Sequence, residues 1–80
     1  MDDAVIVTIR SQNGREEDFE LPRDKKCGKW LPILEQYMRS EYGMAEDMFL
    51  LHLNGSLIKD SDTLKSLDVW DGGILNAEWR

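Results

Sequence analysis

From Ala4 to Arg10 the side chains alternate, with Val5, Val7 and Ile9 on one side and Ile6, Thr8 and Arg10 on the other. A period of two in a β-branched run predicts a strand whose odd-numbered residues form the core face. Asn13-Gly14 interrupts the pattern, and glycine, lacking a Cβ, accepts the positive φ that tight turns demand. Beyond it Phe19 and Leu21 alternate with Asp18 and Glu20. Residues 4–21 therefore read as a β-hairpin, closed by Pro22, which has no N–H to give to a ladder.

The period then changes. Cys27, Trp30, Leu31, Leu34, Tyr37 and Met38 recur at steps of three and four, the stripe of an amphipathic helix that stops near Tyr42-Gly43. Pro32 is tolerated only in the first turn, so the regular helix is expected to begin near Lys29. A second β region covers Met48–Leu53, turns at Asn54-Gly55 and returns through Leu57-Ile58, with apolar content too continuous to assign its faces. Thr63–Leu67 reads as a short helical turn capped by Asp62, with Leu64 and Leu67 inward. After a turn at Asp71-Gly72-Gly73, Ile74, Leu75, Ala77 and Trp79 mark a last strand.

The element order is ββαββ. A lone amphipathic helix among strands has to bury its stripe on one face of a single sheet, which is the α+β pattern. Val7, Ile9, Trp30, Leu34, Leu67 and Leu75 are expected to meet in one interior, with the first and last strands side by side. Eighty residues with 41% hydrophobic and 32% charged side chains fit one folded domain over 1–80, and a chain of this size builds one modest core.

Charge and cysteine usage narrow the partners. A formal net charge of −6 repels nucleic-acid phosphates and anionic headgroups, so neither is an expected partner. Single Cys27 cannot form an intramolecular disulfide, no apolar run is long enough for a bilayer, and Met1-Asp2-Asp3 is acidic where a signal peptide is basic. A cytoplasmic location without direct membrane insertion is the expectation.

The run Phe49-Leu50-Leu51-His52-Leu53-Asn54-Gly55-Ser56-Leu57-Ile58, followed by Asp60 and Thr63-Leu64-Lys65-Ser66-Leu67, resembles the second half of ubiquitin. Strand, glycine turn, short strand, acidic loop and Thr-Leu-Ser turn come in the same order and at nearly the same spacing. Gly14 and the interval from Leu21 to Cys27 match the first half, so the resemblance covers residues 5–80. It implies a ubiquitin-like β-grasp fold, a mixed sheet of four to five strands with one helix packed across it. Within that group the chain is most similar to the bacterial YukD/EsaB family of type VII (ESX/WXG100) secretion systems. That likeness implies an accessory or regulatory role and other proteins as partners, secretion-machinery components among them.

Departures from ubiquitin count equally. The sequence ends Ala77-Glu78-Trp79-Arg80, whereas conjugated modifiers and sulfur carriers end in a flexible Gly-Gly, so conjugation is not expected. The positions matching ubiquitin's apolar recognition patch are Gln12, His52 and Glu78, all polar. A ubiquitin-like adaptor of another pathway, including a eukaryotic one, is the alternative reading, and a modifier or sulfur carrier ranks below both.

Candidate chemistry is sparse. Cys27 beside Lys25 and Lys26 could be a nucleophile, but its place as first residue of the helix stripe favours packing, and His52 is the only histidine. One His and one Cys do not make a zinc set. Glu16, Glu17 and Asp18 are adjacent in a strand, so they point to opposite faces and cannot converge on one ion. Asp71-Gly72-Gly73 lacks the strand-loop-helix context of a phosphate loop. No catalytic residue, metal or cofactor is expected, and the chain does not read as an enzyme.

Binding residues are a better prospect. Arg23, Lys25, Lys26 and Lys29 put four of the ten cations within seven residues near a helix N-terminus, where they oppose its dipole. They are either screened by nearby acids or form a docking patch for an acidic partner. Roughly 20 Å of strand separates them from the acidic hairpin, so weak head-to-tail self-association is conceivable. Trp70 and Trp79 are further candidates for protein contact, or covers of the core edge, while Trp30 belongs to the core.

Overall fold

The computed structural model describes residues 3–43 and 48–80. Five strands, β1 (Ala4–Ser11), β2 (Glu16–Pro22), β3 (Phe49–Leu53), β4 (Ser56–Leu57) and β5 (Ile74–Trp79), form one sheet in the order β2-β1-β5-β3-β4. β1 pairs in parallel with β5, Ile9 opposite Leu75, and the other pairings are antiparallel, so the sheet is mixed. Between β2 and β3 come a single 3₁₀ turn at Cys27–Lys29 and the helix α1 (Leu31–Tyr42).

The alternation in β1 predicts its faces correctly. Val5, Val7 and Ile9 are buried, and they join Leu21, Cys27, Trp30, Leu34, Met38, Leu51, Leu64, Leu75 and Ala77 in one core cluster. Leu67 is half-buried against that cluster, so the six side chains expected to meet do meet. The register settles the faces of β3. Leu51 sits opposite Ala77 and points into the core with Phe49 and Leu53, whereas Leu50 and His52, opposite Glu78 and Asn76, lie on the open face.

Two Asn-Gly turns adopt different forms. At Asn54-Gly55 both residues have positive φ, 51° and 83°, in the two-residue connection of a tight hairpin. At Asn13-Gly14 only Gly14 is positive, at 87°, and the Ser11 N–H bonds to the Arg15 carbonyl across a three-residue loop. The Asn13 side chain there accepts the Arg15 N–H instead.

The helix starts two residues later than expected. Placed at the fourth helical position, Pro32 would remove the first backbone hydrogen bond and press its ring on the preceding turn. The chain instead makes the tighter 3₁₀ bonds Lys29 N–H to Lys26 and Trp30 N–H to Cys27, and the first α-type bond runs from Leu34 to Trp30. α1 ends where Gly43, at φ 70°, donates to the Arg39 carbonyl. Of the expected stripe, Cys27, Trp30, Leu34 and Met38 are buried and Leu31 is half-buried, while Tyr37 stands exposed at the rim.

The Thr63–Leu67 segment also differs from its reading. It makes one helical bond, Leu67 N–H to Thr63, and no regular helix. Its cap is Thr63, whose hydroxyl accepts the Ser66 N–H while the Thr63 N–H donates to the Ser66 hydroxyl, a reciprocal arrangement in which Ser replaces the usual Glu. Asp62 caps the preceding turn by accepting the Lys59 N–H.

Removing the Met38 side chain from the helix–sheet contact should leave a cavity. We expect Met38→Ala to cost about 2–5 kcal/mol, and Ile33→Ala, on the exposed side of the same helix, within about 0.5 kcal/mol. Urea unfolding should show a lowered midpoint at unchanged m for the first variant only; equal midpoints would contradict the assignment of the buried face.

Candidate protein-binding surface

Segment 23–28 runs alongside segment 60–65, tied by Lys65 N–H to Arg23, Cys27 N–H to Asp62 and Gly28 N–H to Asp60. The approach is close at Gly28, where a Cβ would lie 3.0 Å from the Asp60 Cβ. This pairing decides what becomes of the basic cluster. Arg23 is 4% exposed, so it does not share a solvent-facing patch with the lysines. Its Nε donates to the Val69 carbonyl at 2.8 Å, its guanidinium stacks 3.5 Å from the Trp70 ring centroid, and Asp3 offers a carboxylate at 3.7 Å. A buried guanidinium needs this degree of satisfaction, since an unpaired one would cost several kcal/mol.

Lys25, Lys26 and Lys29 are exposed, and among the described residues they make no ion pair. Asp60 and Asp62 on the paired segment bring negative charge alongside them. The lysines thus form a smaller patch than the sequence cluster, bordered by acids.

Trp70 and Trp79 part company. Trp70 is 59% exposed, with one face on Arg23 and its Nε1 hydrogen-bonded to Asp68. Trp79 is buried, packed 4.8 Å from the Phe49 ring centroid beneath Arg39, so it covers the core and is not available to a partner. Sequence reasoning passed over Ile6 and Ile74, exposed diagonal neighbours on the open face of β1–β5, and Ile33, the most exposed large apolar side chain among the described residues. Ile33 lies off the helix stripe, and that spacing was the available signal.

The open face is polar where β1, β5 and β3 meet. Gln12 accepts the Trp79 N–H, and His52 bonds Glu78 at 3.0 Å, which also pairs with Arg80. The Arg80 contact, with the histidine, holds the Glu78 carboxyl below the usual range despite partial burial. The three acids of the hairpin point as alternation requires, Glu16 to Arg10 and Asp18 to Thr8 on the open face, and Glu17 to Tyr37 on the helix side.

Cys27 lies in the core at zero exposure, and burial, with Asp62 and Asp60 nearby, pushes its thiol up to about 11. His52 is across the sheet, so the two cannot couple. Among the described residues no group of three or more His, Cys, Asp or Glu could hold a metal ion, and no helix is long and apolar enough to cross a membrane. In the Asp71–Gly73 turn the Gly72 N–H is spent on Ile6, and the Asp71 carboxylate accepts the Ile6 N–H. That turn extends the β1–β5 ladder.

The chain superimposes on an archaeal ubiquitin from Caldiarchaeum subterraneum with a TM-score of 0.73 at 21% identity, covering 98% of this chain and 95% of that one. The fold is ubiquitin-like. A de novo design based on ubiquitin matches with a TM-score of 0.69 at 18% identity, over 96% of this chain and 89% of the design. A chain of the MycP5-free ESX-5 inner membrane complex matches with a TM-score of 0.77 at 18% identity over 96% of this chain. This ubiquitin-like chain spans only 21% of the length of that one. No protein-family model and no curated protein sequence matches it.

Two outcomes follow for this region. Arg23→Ala removes a buried hydrogen bond and the stacked cation, so it should destabilise by about 1–3 kcal/mol and alter Trp70 fluorescence, whereas Lys25→Ala should do neither. The Cys27 thiol rises from 9.0 to about 11 on folding, so the folded state holds its proton more tightly; its contribution is fully present below pH 9 and is lost as pH rises towards 11. Urea midpoints of wild type and Cys27→Ala measured across that window should converge, and parallel profiles would contradict the buried, protonated thiol.

Proposed function

We propose that this chain is a non-conjugated ubiquitin-like module that works by binding other proteins, as a cytoplasmic accessory or regulatory component of a type VII (ESX/WXG100) secretion system of the YukD/EsaB kind. The observation that carries this reading is the likeness to a chain of the ESX-5 inner membrane complex, which at 96% coverage includes nearly every element described above. It is a likeness of fold, and function is argued from it by analogy. The surface fits the analogy: Trp70 and the lysines offer protein contacts, while the protonated Cys27 and the distant His52 give no basis for catalysis. We therefore read the chain as a binding module and not as an enzyme.

A second reading, an adaptor in another pathway, draws on the archaeal ubiquitin, which this chain matches over nearly the full length of both. The two part in the cell. Under the secretion reading, deleting the gene abolishes export of WXG100 substrates, and the tagged protein crosslinks to the membrane complex. It runs at the mass of the unmodified chain on a denaturing blot. Trp70→Ala and the double reversal Lys25→Glu/Lys26→Glu should weaken the crosslink, the reversal in a salt-sensitive way. Normal export together with crosslinks only to unrelated proteins would favour the adaptor, and a ladder of higher-mass species would favour a modifier.

A further inference from the structure

β2 is an edge strand, and its hydrogen-bonding pattern can be worked out residue by residue. In an antiparallel pair, opposed residues alternate between bonded and non-bonded. The bonds Ser11 N–H to Arg15 and Arg23 N–H to Asp3 fix the bonded set at either end of the hairpin. With the register, that set includes Ile9–Glu17, Val7–Phe19 and Val5–Leu21. Thr8 and Ile6, the residues between, bond instead to Gly73 and Gly72 on the β5 side, as the same alternation requires. The backbone N–H and C=O groups of Glu16, Asp18 and Glu20 therefore point out to the free edge, and Pro22 ends the row with no N–H.

Beside this edge lies a groove of about 490 Å³ between β2 and α1, whose apolar walls are Phe19, Leu21, Trp30, Ile33, Leu34 and Tyr37. Ile33 is 71% exposed on its lip, and Tyr37 stands edge-on to Phe19 at 5.5 Å between centroids. β2 carries four carboxylates and no cation. Arg10 pairs with Glu16, which leaves Glu17, Asp18 and Glu20 uncompensated by any ion pair among the described residues.

We propose that the β2 edge and the β2–α1 groove bind an extended basic segment of a partner protein as an added strand. A strand pairing with Glu16, Asp18 and Glu20 sends alternate side chains to opposite faces. On one face they enter the groove and must be apolar; on the other they stand beside the Glu16, Asp18 and Glu20 carboxylates and must be basic. The recognised segment is thus about five to seven residues long with basic and apolar positions alternating. A second copy of this chain is a poor occupant, because two β2 edges would oppose carboxylate to carboxylate. The inference rests on the protein-binding reading only for the existence of a partner, and in vitro binding does not depend on a secretion role.

The test titrates the ¹⁵N-labelled protein with capped Lys-Ile-Lys-Val-Lys-Val-Lys, with the same residues in blocks, Lys-Lys-Lys-Lys-Ile-Val-Val, and with Glu-Ile-Glu-Val-Glu-Val-Glu. The alternating basic peptide should shift the amides of Glu16, Asp18, Glu20, Ile33 and Tyr37. It should bind roughly tenfold more tightly than the block peptide, and less tightly as salt rises. The acidic peptide should produce no shift. Ile33→Asp and Glu20→Lys, both exposed and outside the core, should each weaken binding by roughly tenfold while leaving the urea midpoint near wild type. Equal affinity for alternating and block peptides would reduce the effect to charge alone and overturn the proposal. So would shifts confined to the open face, shifts at β2 with protein concentration alone, or no shift at about 1 mM peptide.

Discussion

The parallel pairing of β1 with β5 holds the architecture together. It joins segments from opposite ends of the described chain, Ile9 opposite Leu75, and makes one sheet from the β1–β2 hairpin, marginal by itself, and the three-stranded unit β5–β3–β4. Parallel neighbours cannot be linked by a tight turn, so everything between them serves as the crossover. α1 lies on the side where the joint between β1 and β5 presents Val7, Ile9, Leu75 and Ala77, and its stripe of Trp30, Leu34 and Met38 is buried with them in one cluster. The Asp71–Gly73 turn extends the joint by bonding its backbone and carboxylate to Ile6.

The architecture was legible because both hydrophobic periods are strong and uninterrupted. Period two in Val5, Val7 and Ile9, and the helical stripe through Trp30, Leu34 and Met38, name the faces that meet in the core. The faces of β3 were hidden because its run is apolar at Leu50 as well as Leu51, and only pairing with β5 distinguishes them. The helix start was misplaced by two residues because Pro32 is accommodated by a 3₁₀ turn before it, and the cap of the Thr63 turn by one, because Asp62 and Thr63 are both capping residues and only geometry decides which N–H each takes.

The candidate site was less legible, for a reason that concerns charge. A cluster of cations in sequence reads as one patch, but Coulomb partners are chosen through space. Backbone pairing with the 60–65 segment and with Asp3 holds Arg23 where the Val69 carbonyl and the Trp70 ring accept it, and leaves the three lysines outside. The guanidinium suits that position because it can donate in a plane and stack at once, which a lysine ammonium cannot. One residue of the cluster is therefore structural, and it also fixes one face of the most exposed tryptophan.

Partners chosen through space also make the acidic hairpin and the polar open face different kinds of surface. On the open face Gln12, His52 and Glu78 bond to groups of their own sheet, so their polarity is largely used up within the fold. Along β2 the carboxylates sit on a strand with a free edge, where charge and Pro22 are the usual means of preventing one edge from pairing with another. Such protection is not neutral. Like charge opposes a second β2, but the outward N–H and C=O groups of Glu16, Asp18 and Glu20 stay available to a strand of opposite charge, so the feature that excludes self-pairing also sets which foreign strand fits.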